Sequence, residues 1–152
     1  MLKSAGIPER RTRSLGLIQK LVSTRTEMLS LYSTLAGQKP FDGNDEVPEI
    51  LKEFCESLID YTANAHFQLY RYFAENRERR GDVLEIVDKI YPKIVDVTQS
   101  ILDFNDKYDL DSYAKNLTSL EHDLSELGEQ LAVRIELEDD LINVLSGSRQ
   151  LR

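Results

Sequence analysis

Apolar residues recur at steps of three and four along nearly the whole chain. That spacing gathers them on one side of a helix of 3.6 residues per turn. A first segment opens near Pro8, a residue suited to a first helical position, and carries Leu15, Ile18, Val22, Leu29, Tyr32 and Leu35. One turn is skipped at Arg25, and Gly37 is the stop signal. Residues 38–47, with Pro40, Asp42-Gly43 and Asn44, read as a loop. Pro48 then starts a second helix with the seam Leu51, Phe54, Leu58, Tyr61, Ala65, Leu69 and Tyr72, and a charged run up to Gly81 ends it. The third segment carries Val83, Ile86, Ile90, Ile94, Val97, Ile101 and Phe104. Pro92 lies inside it, and its missing donor and ring clash predict a break or kink at Ile90-Tyr91. After a polar loop at 107–112, a fourth helix from about Tyr113 to Ser146 runs through Leu117, Leu120, Leu124, Leu127, Leu131, Leu141 and Leu145, with Gly147 as its stop.

Four long amphipathic segments bury their apolar faces most simply by packing together. The expected fold is all-α, an antiparallel four-helix bundle. One domain is expected over residues 1–152, with the basic stretch 1–13 either flexible or the start of the first helix.

Charge adds a second layer. The formal net charge is -8, yet residues 1–25 carry six basic side chains against Glu9 alone. Residues 96–140 hold thirteen acids against Lys107, Lys115 and Arg134. Such a surface repels phosphate backbones and attracts basic proteins, so direct nucleic-acid binding is not expected. The single cysteine, Cys55, excludes an intrachain disulfide. The longest stretch without a charge is residues 28–38, too short for a membrane span, and no secretory signal opens the chain. The expected location is the cytoplasm.

Enzymatic chemistry finds no footing. There is no glycine-rich phosphate loop and no nucleophile elbow. A bundle can house two metals on inward Glu-x-x-His motifs, but Ala63 and Ser119 stand three residues before His66 and His122. No metal, cofactor or catalytic residue is expected. One irregularity stands out in the fourth helix. Its leucine seam passes through Arg134 and Glu138 before resuming at Leu141. Buried charges require partners, so these two are expected to pair, in an interior polar network extending to His66.

The second helix carries a sharper signal. With Tyr61 at zero and about 100° per residue, the core seam centres near 70°, while Phe67 falls near about 240° and Asp60 near about 260°. Glu49, Glu53, Glu56 and Glu78 share that stripe, with Ala63 and Ala74 among them. An aromatic on an acidic, solvated face has the form of a binding anchor: apolar centre, small neighbours, charged rim for steering.

Three stretches then resemble the Rsd/AlgQ family of sigma-factor regulators. They are Phe54-Cys55-Glu56-Ser57-Leu58-Ile59-Asp60-Tyr61 with His66-Phe67 and Tyr70; Ile90-Tyr91-Pro92 with Thr98-Gln99 and Asp103; and Leu124-Ser125 through Gly128-Glu129, Leu131, Arg134 and Leu137-Glu138-Asp139 to Leu141-Ile142. The resemblance runs from about Leu17 to Leu145. It implies a non-enzymatic helical bundle, an anti-sigma factor that binds region four of the primary sigma factor of bacterial RNA polymerase. That binding would keep sigma from core enzyme and from −35 promoter DNA. It also implies that Asp60, Ala63 and Phe67, beside Glu53 and Glu56, touch the partner. The chain departs from the family pattern at Ala63 (Ser in relatives), Ala65 (Gly) and Leu21 (Trp). The other reading of the residues is a bundle that holds a small ligand or metal in a polar interior around His66, Arg134 and Glu138.

Overall fold

The computed structural model describes residues 2–41, 43–76, 81–108 and 117–145, with backbone alone at 2–15, 17, 69–76, 81–84, 86–87 and 144–145. Four helices account for nearly all of it: α1 Leu2–Ala36, α2 Val47–Asn76, α3 Gly81–Lys107 and α4 Leu120–Leu145. A short 3₁₀ turn at Leu117–Ser119 leads into α4. Among the described residues there is no strand. The helices form the expected all-α bundle. α1 packs along α2 and α3 along α4, while α2 and α3 meet over a much smaller area.

Several boundaries differ from expectation. α1 begins at Leu2, so Pro8 lies inside it and the basic stretch belongs to the helix. Gly81 opens α3 instead of closing α2. The expected start of α4 at Tyr113 lies outside the described residues. α3 continues through Pro92 as one element, so no break occurs at Ile90-Tyr91. Pro92 and Asp88 are both exposed, so the Asp88 carbonyl that loses its helical donor can turn to water.

The loop after α1 is set locally. Gly43 takes φ 77°, a left-handed conformation that glycine adopts freely. The Asn44 side chain then accepts from the Glu46 amide at 3.0 Å, just ahead of the first turn of α2.

The core seams of α2, α3 and α4 follow their apolar periods. Leu51, Phe54, Leu58, Tyr61 and Ala65 are buried on α2, Ile90, Ile94, Val97, Ile101 and Phe104 on α3, and Leu120, Leu124, Leu127 and Leu131 on α4. α1 corrects the reading. Its buried row is Leu21, Met28 and Leu35, whereas Val22 and Leu29 are exposed. Two apolar rows lie one residue apart on α1, both at heptad spacing, and the helix buries the row of Leu21, Met28 and Leu35. The turn skipped at Arg25 has a cause: this side chain reaches Asp139 at 2.9 Å and Glu138 at 3.6 Å.

Glu138 is completely buried, and the polar network around it reaches all four helices. It accepts the Tyr61 hydroxyl of α2 at 2.5 Å and Arg134 Nε of α4 at 2.9 Å, with Arg25 of α1 nearby. Arg134 Nη1 also donates to Thr98 Oγ1 of α3, which in turn donates to the Ile94 carbonyl. The guanidinium lies over the Tyr61 ring, 5.5 Å from its centre. Burial, reinforced by the Glu138 carboxylate, pushes the Tyr61 hydroxyl well above its ordinary pKa, so it stays a donor. Among the described residues no buried side-chain polar atom lacks a partner.

Two further contacts join helices. Tyr32 of α1 donates its hydroxyl to the Leu124 carbonyl at 2.8 Å, and its ring meets Phe54 edge-on. It passes across Gly128, where a Cβ would overlap the hydroxyl. At the end of α3, Asp123 accepts from Lys107 at 2.7 Å and from Tyr108 at 2.5 Å. Burial alone would raise the Asp123 carboxyl, but hydrogen bonds from Lys107 and Tyr108 and the nearby Lys107 charge outweigh it and hold it below the usual range.

Three outcomes are expected. Glu138→Leu should destabilise the fold by about 3 kcal/mol or more, because Arg134 stays buried without its carboxylate; urea denaturation measures it, and an unchanged midpoint would refute the buried pair. Gly128→Ala should lose about 1–2 kcal/mol net, overpacking against Tyr32 exceeding the helical gain of alanine, and Tyr32→Phe in the same background should recover part of the loss. Asp123 has its pKa lowered by folding, so its contribution is present at neutral pH and disappears as acid protonates it. Asp123→Asn should therefore flatten the acid limb of the stability profile, read from melting temperature against pH.

Candidate functional site

The small contact between α2 and α3 leaves an open groove of about 460 Å³. Its α2 wall carries Ile59, Ala63 and Phe67 at intervals of one turn, with Thr62 and His66 beside them. Its α3 wall is Tyr91, Val95 and Leu102, with Thr98 in the same row. Arg134 of α4 forms part of the floor. Phe67 is 69% exposed, and Tyr91, Val95 and Leu102 are exposed as well. Of the seven large apolar side chains exposed among the described residues, four line this groove, which makes it a patch and not scattered surface.

The helical wheel placed Phe67 off the core, and it is exposed there, leaning on His66 with ring centres 5.6 Å apart. Ala63 is half-buried on the same wall. Asp60, Glu56 and Glu53 are exposed on α2 beside the groove without lining it, and Glu49 is exposed too. Glu78 and the side chain of Ala74 lie outside the described residues.

His66 requires correction as a member of the interior network. It is exposed and stands in the groove wall, while Arg134 and Glu138 are buried behind it. The cause is angular: His66 lies one residue past the buried Ala65, on the flank that faces the α2–α3 opening. The Arg134–Glu138 pair is already closed by protein groups, which leaves the ligand- or metal-binding interior without support. A different trio, His122, Asp123 and Glu126, brings its ligand atoms within 4.8 Å of one another, but Asp123 is committed to Lys107 and Tyr108. The departures at Ala65 and Leu21 fall in the core, at 1% and 0% exposure, so neither touches a partner approaching from solvent.

The α3 wall escaped the sequence reading, although a signal was present. The core row Ile90, Ile94, Val97, Ile101 is shadowed one residue later by Tyr91, Val95, Thr98, Leu102. A doubled row means a face wider than one packing partner covers.

A family profile described as "Regulator of RNA polymerase sigma(70) subunit, Rsd/AlgQ" matches residues 1–146. The chain is 32% identical over 138 residues to the "Regulator of sigma D" of Yersinia enterocolitica, covering 88% of this chain and 83% of that one. It is 34% identical over 138 residues to the protein of the same name from Salmonella arizonae, covering 83% and 79%. No solved structure matches the chain significantly. With matches that run nearly end to end over an all-helical bundle, the chain belongs to the Rsd/AlgQ family of RNA polymerase sigma-subunit regulators.

Proposed function

We propose that the chain is an anti-sigma factor that binds region four of the primary sigma factor in the bacterial cytoplasm, without catalysis. Bound there, it keeps sigma from core enzyme and from −35 promoter DNA. The observation that carries this reading is Phe67, 69% exposed at the lip of an apolar groove and beside the acids Glu53, Glu56 and Asp60. Region four of such a sigma factor is a basic helix-turn-helix module. Basic side chains that otherwise meet DNA phosphates find carboxylates on α2, and Phe67 supplies the apolar contact. The net charge of -8 speeds encounter with such a partner and excludes DNA as a competitor for the same face. The family membership supports a regulatory and not a catalytic role. Among the described residues no helix is long and apolar enough to cross a membrane.

Titration of purified primary sigma, and of its region four, into the chain tests the proposal. Phe67→Ala should weaken binding by about 2 kcal/mol or more while leaving the melting temperature nearly unchanged, because the ring packs little against the core. Asp60→Lys should cost more, since it sets like charges against each other. Full sigma affinity in a folded Phe67→Ala, Asp60→Lys double variant would reject this surface as the site. Loss of fold together with binding would assign Phe67 a structural role instead.

A further inference from the structure

The groove is a heptad seam with one helix missing. On α3, Tyr91, Val95, Thr98 and Leu102 follow spacings of four, three and four, the same period as the core row beside them. On α2, Ile59, Ala63 and Phe67 repeat once per turn and face them across the opening. Apolar rows of this period on two neighbouring helices form the site into which a third helix inserts side chains as ridges into a groove. The α3 row spans twelve residues, eleven steps of 1.5 Å that make about 16 Å or three turns. Lys52, one heptad before Ile59 and exposed, ends the α2 row on that side.

The rims specify charge. Exposed Glu53, Glu56 and Asp60 flank the α2 row, and exposed Asp88 and Asp106 follow the α3 row on its solvent side by helical geometry, with the neutral Gln99 lining the groove between them. Arg134, on the floor, is neutralised by Glu138 at 2.9 Å. Apolar walls between two acidic rims, over a floor whose one cation is already paired, fit an apolar ridge bordered by basic side chains.

We propose that the α2–α3 groove receives one amphipathic helix of the sigma partner, about three turns long, its apolar ridge seated between the two rows and its basic flanks against the acidic rims. This rests on the anti-sigma reading and deepens it: the partner enters between two helices, and α3 supplies half the site.

Full-length chain and full-length primary sigma serve for the test. Val95→Asp and Leu102→Asp should each weaken binding at least about tenfold while melting as the unmodified chain does, because both side chains are exposed. Val133→Asp, an equally exposed apolar position on α4 outside the groove, should bind normally. Val95→Thr keeps the shape and should give a smaller loss if the aspartate variant fails to fold. In the methyl spectrum of isotopically labelled chain, unlabelled sigma should shift Val95 and Leu102 and leave Val133 in place. Unmodified affinity in folded Val95→Asp and Leu102→Asp, with binding still abolished by Phe67→Ala and Asp60→Lys, would overturn the groove and leave the partner lying on α2 alone. Failure of the unmodified chain to bind sigma would instead overturn the anti-sigma reading, and the groove's occupant with it.

Discussion

A fully buried carboxylate is expensive, and the way Glu138 is satisfied organises the bundle. Its partners come from two other helices and from its own, and Arg134 carries the connection on to α3. Leucines at the same positions would pack α4 against its neighbours with no preference for one register. A carboxylate that must meet a tyrosine, a guanidinium and a nearby second arginine tolerates only the arrangement that brings all three within reach. The network also explains the skipped turn of α1, since Arg25 occupies the place where an apolar residue would close the seam.

The same network meets the outer surface. Arg134 serves Glu138 on one side and floors the α2–α3 groove on the other. α2 and α3 are thereby tied through polar groups at one level while their apolar rows stay apart beside it. The bundle is closed along α1–α2 and α3–α4 and open on the flank where its exposed aromatic and aliphatic residues gather. That asymmetry separates a closed scaffold from an open apolar face within one short chain.

Most of the scaffold was legible in the residues. Spacings of three and four fixed the helices and the seams of α2, α3 and α4, and the charged interruption at Arg134 and Glu138 pointed to a buried pair. The errors share a cause. Pro8 and Gly81 are punctuation marks whose local meaning depends on what packs around them: Pro8 lies inside α1, which starts six residues earlier, and Gly81 opens a helix instead of closing one. α1 offered two rows one residue apart, and choosing between them needed the position of α2, its main packing partner, which no local pattern supplies. Phe67 was found because it stands alone among acids. Its counterparts on α3 were hidden beside a core row of the same character, and only the pairing of two helices turns such a row into a groove. His66 failed for a related reason: a wheel gives an angle, but whether that angle faces a neighbour or an opening is a property of the assembly.

The doubled row of α3 also shapes how this chain can evolve. Ile90, Ile94, Val97 and Ile101 answer to the fold, whereas Tyr91, Val95 and Leu102 are exposed in the groove and, under the docking proposed above, answer to its occupant. Two constraints are thus written on one helix, one residue out of phase, and a lineage can revise the second without endangering the first. Thr98 is the exception, because it holds Arg134 from within the outer row. Drift in partner preference should therefore accumulate around that threonine and not through it.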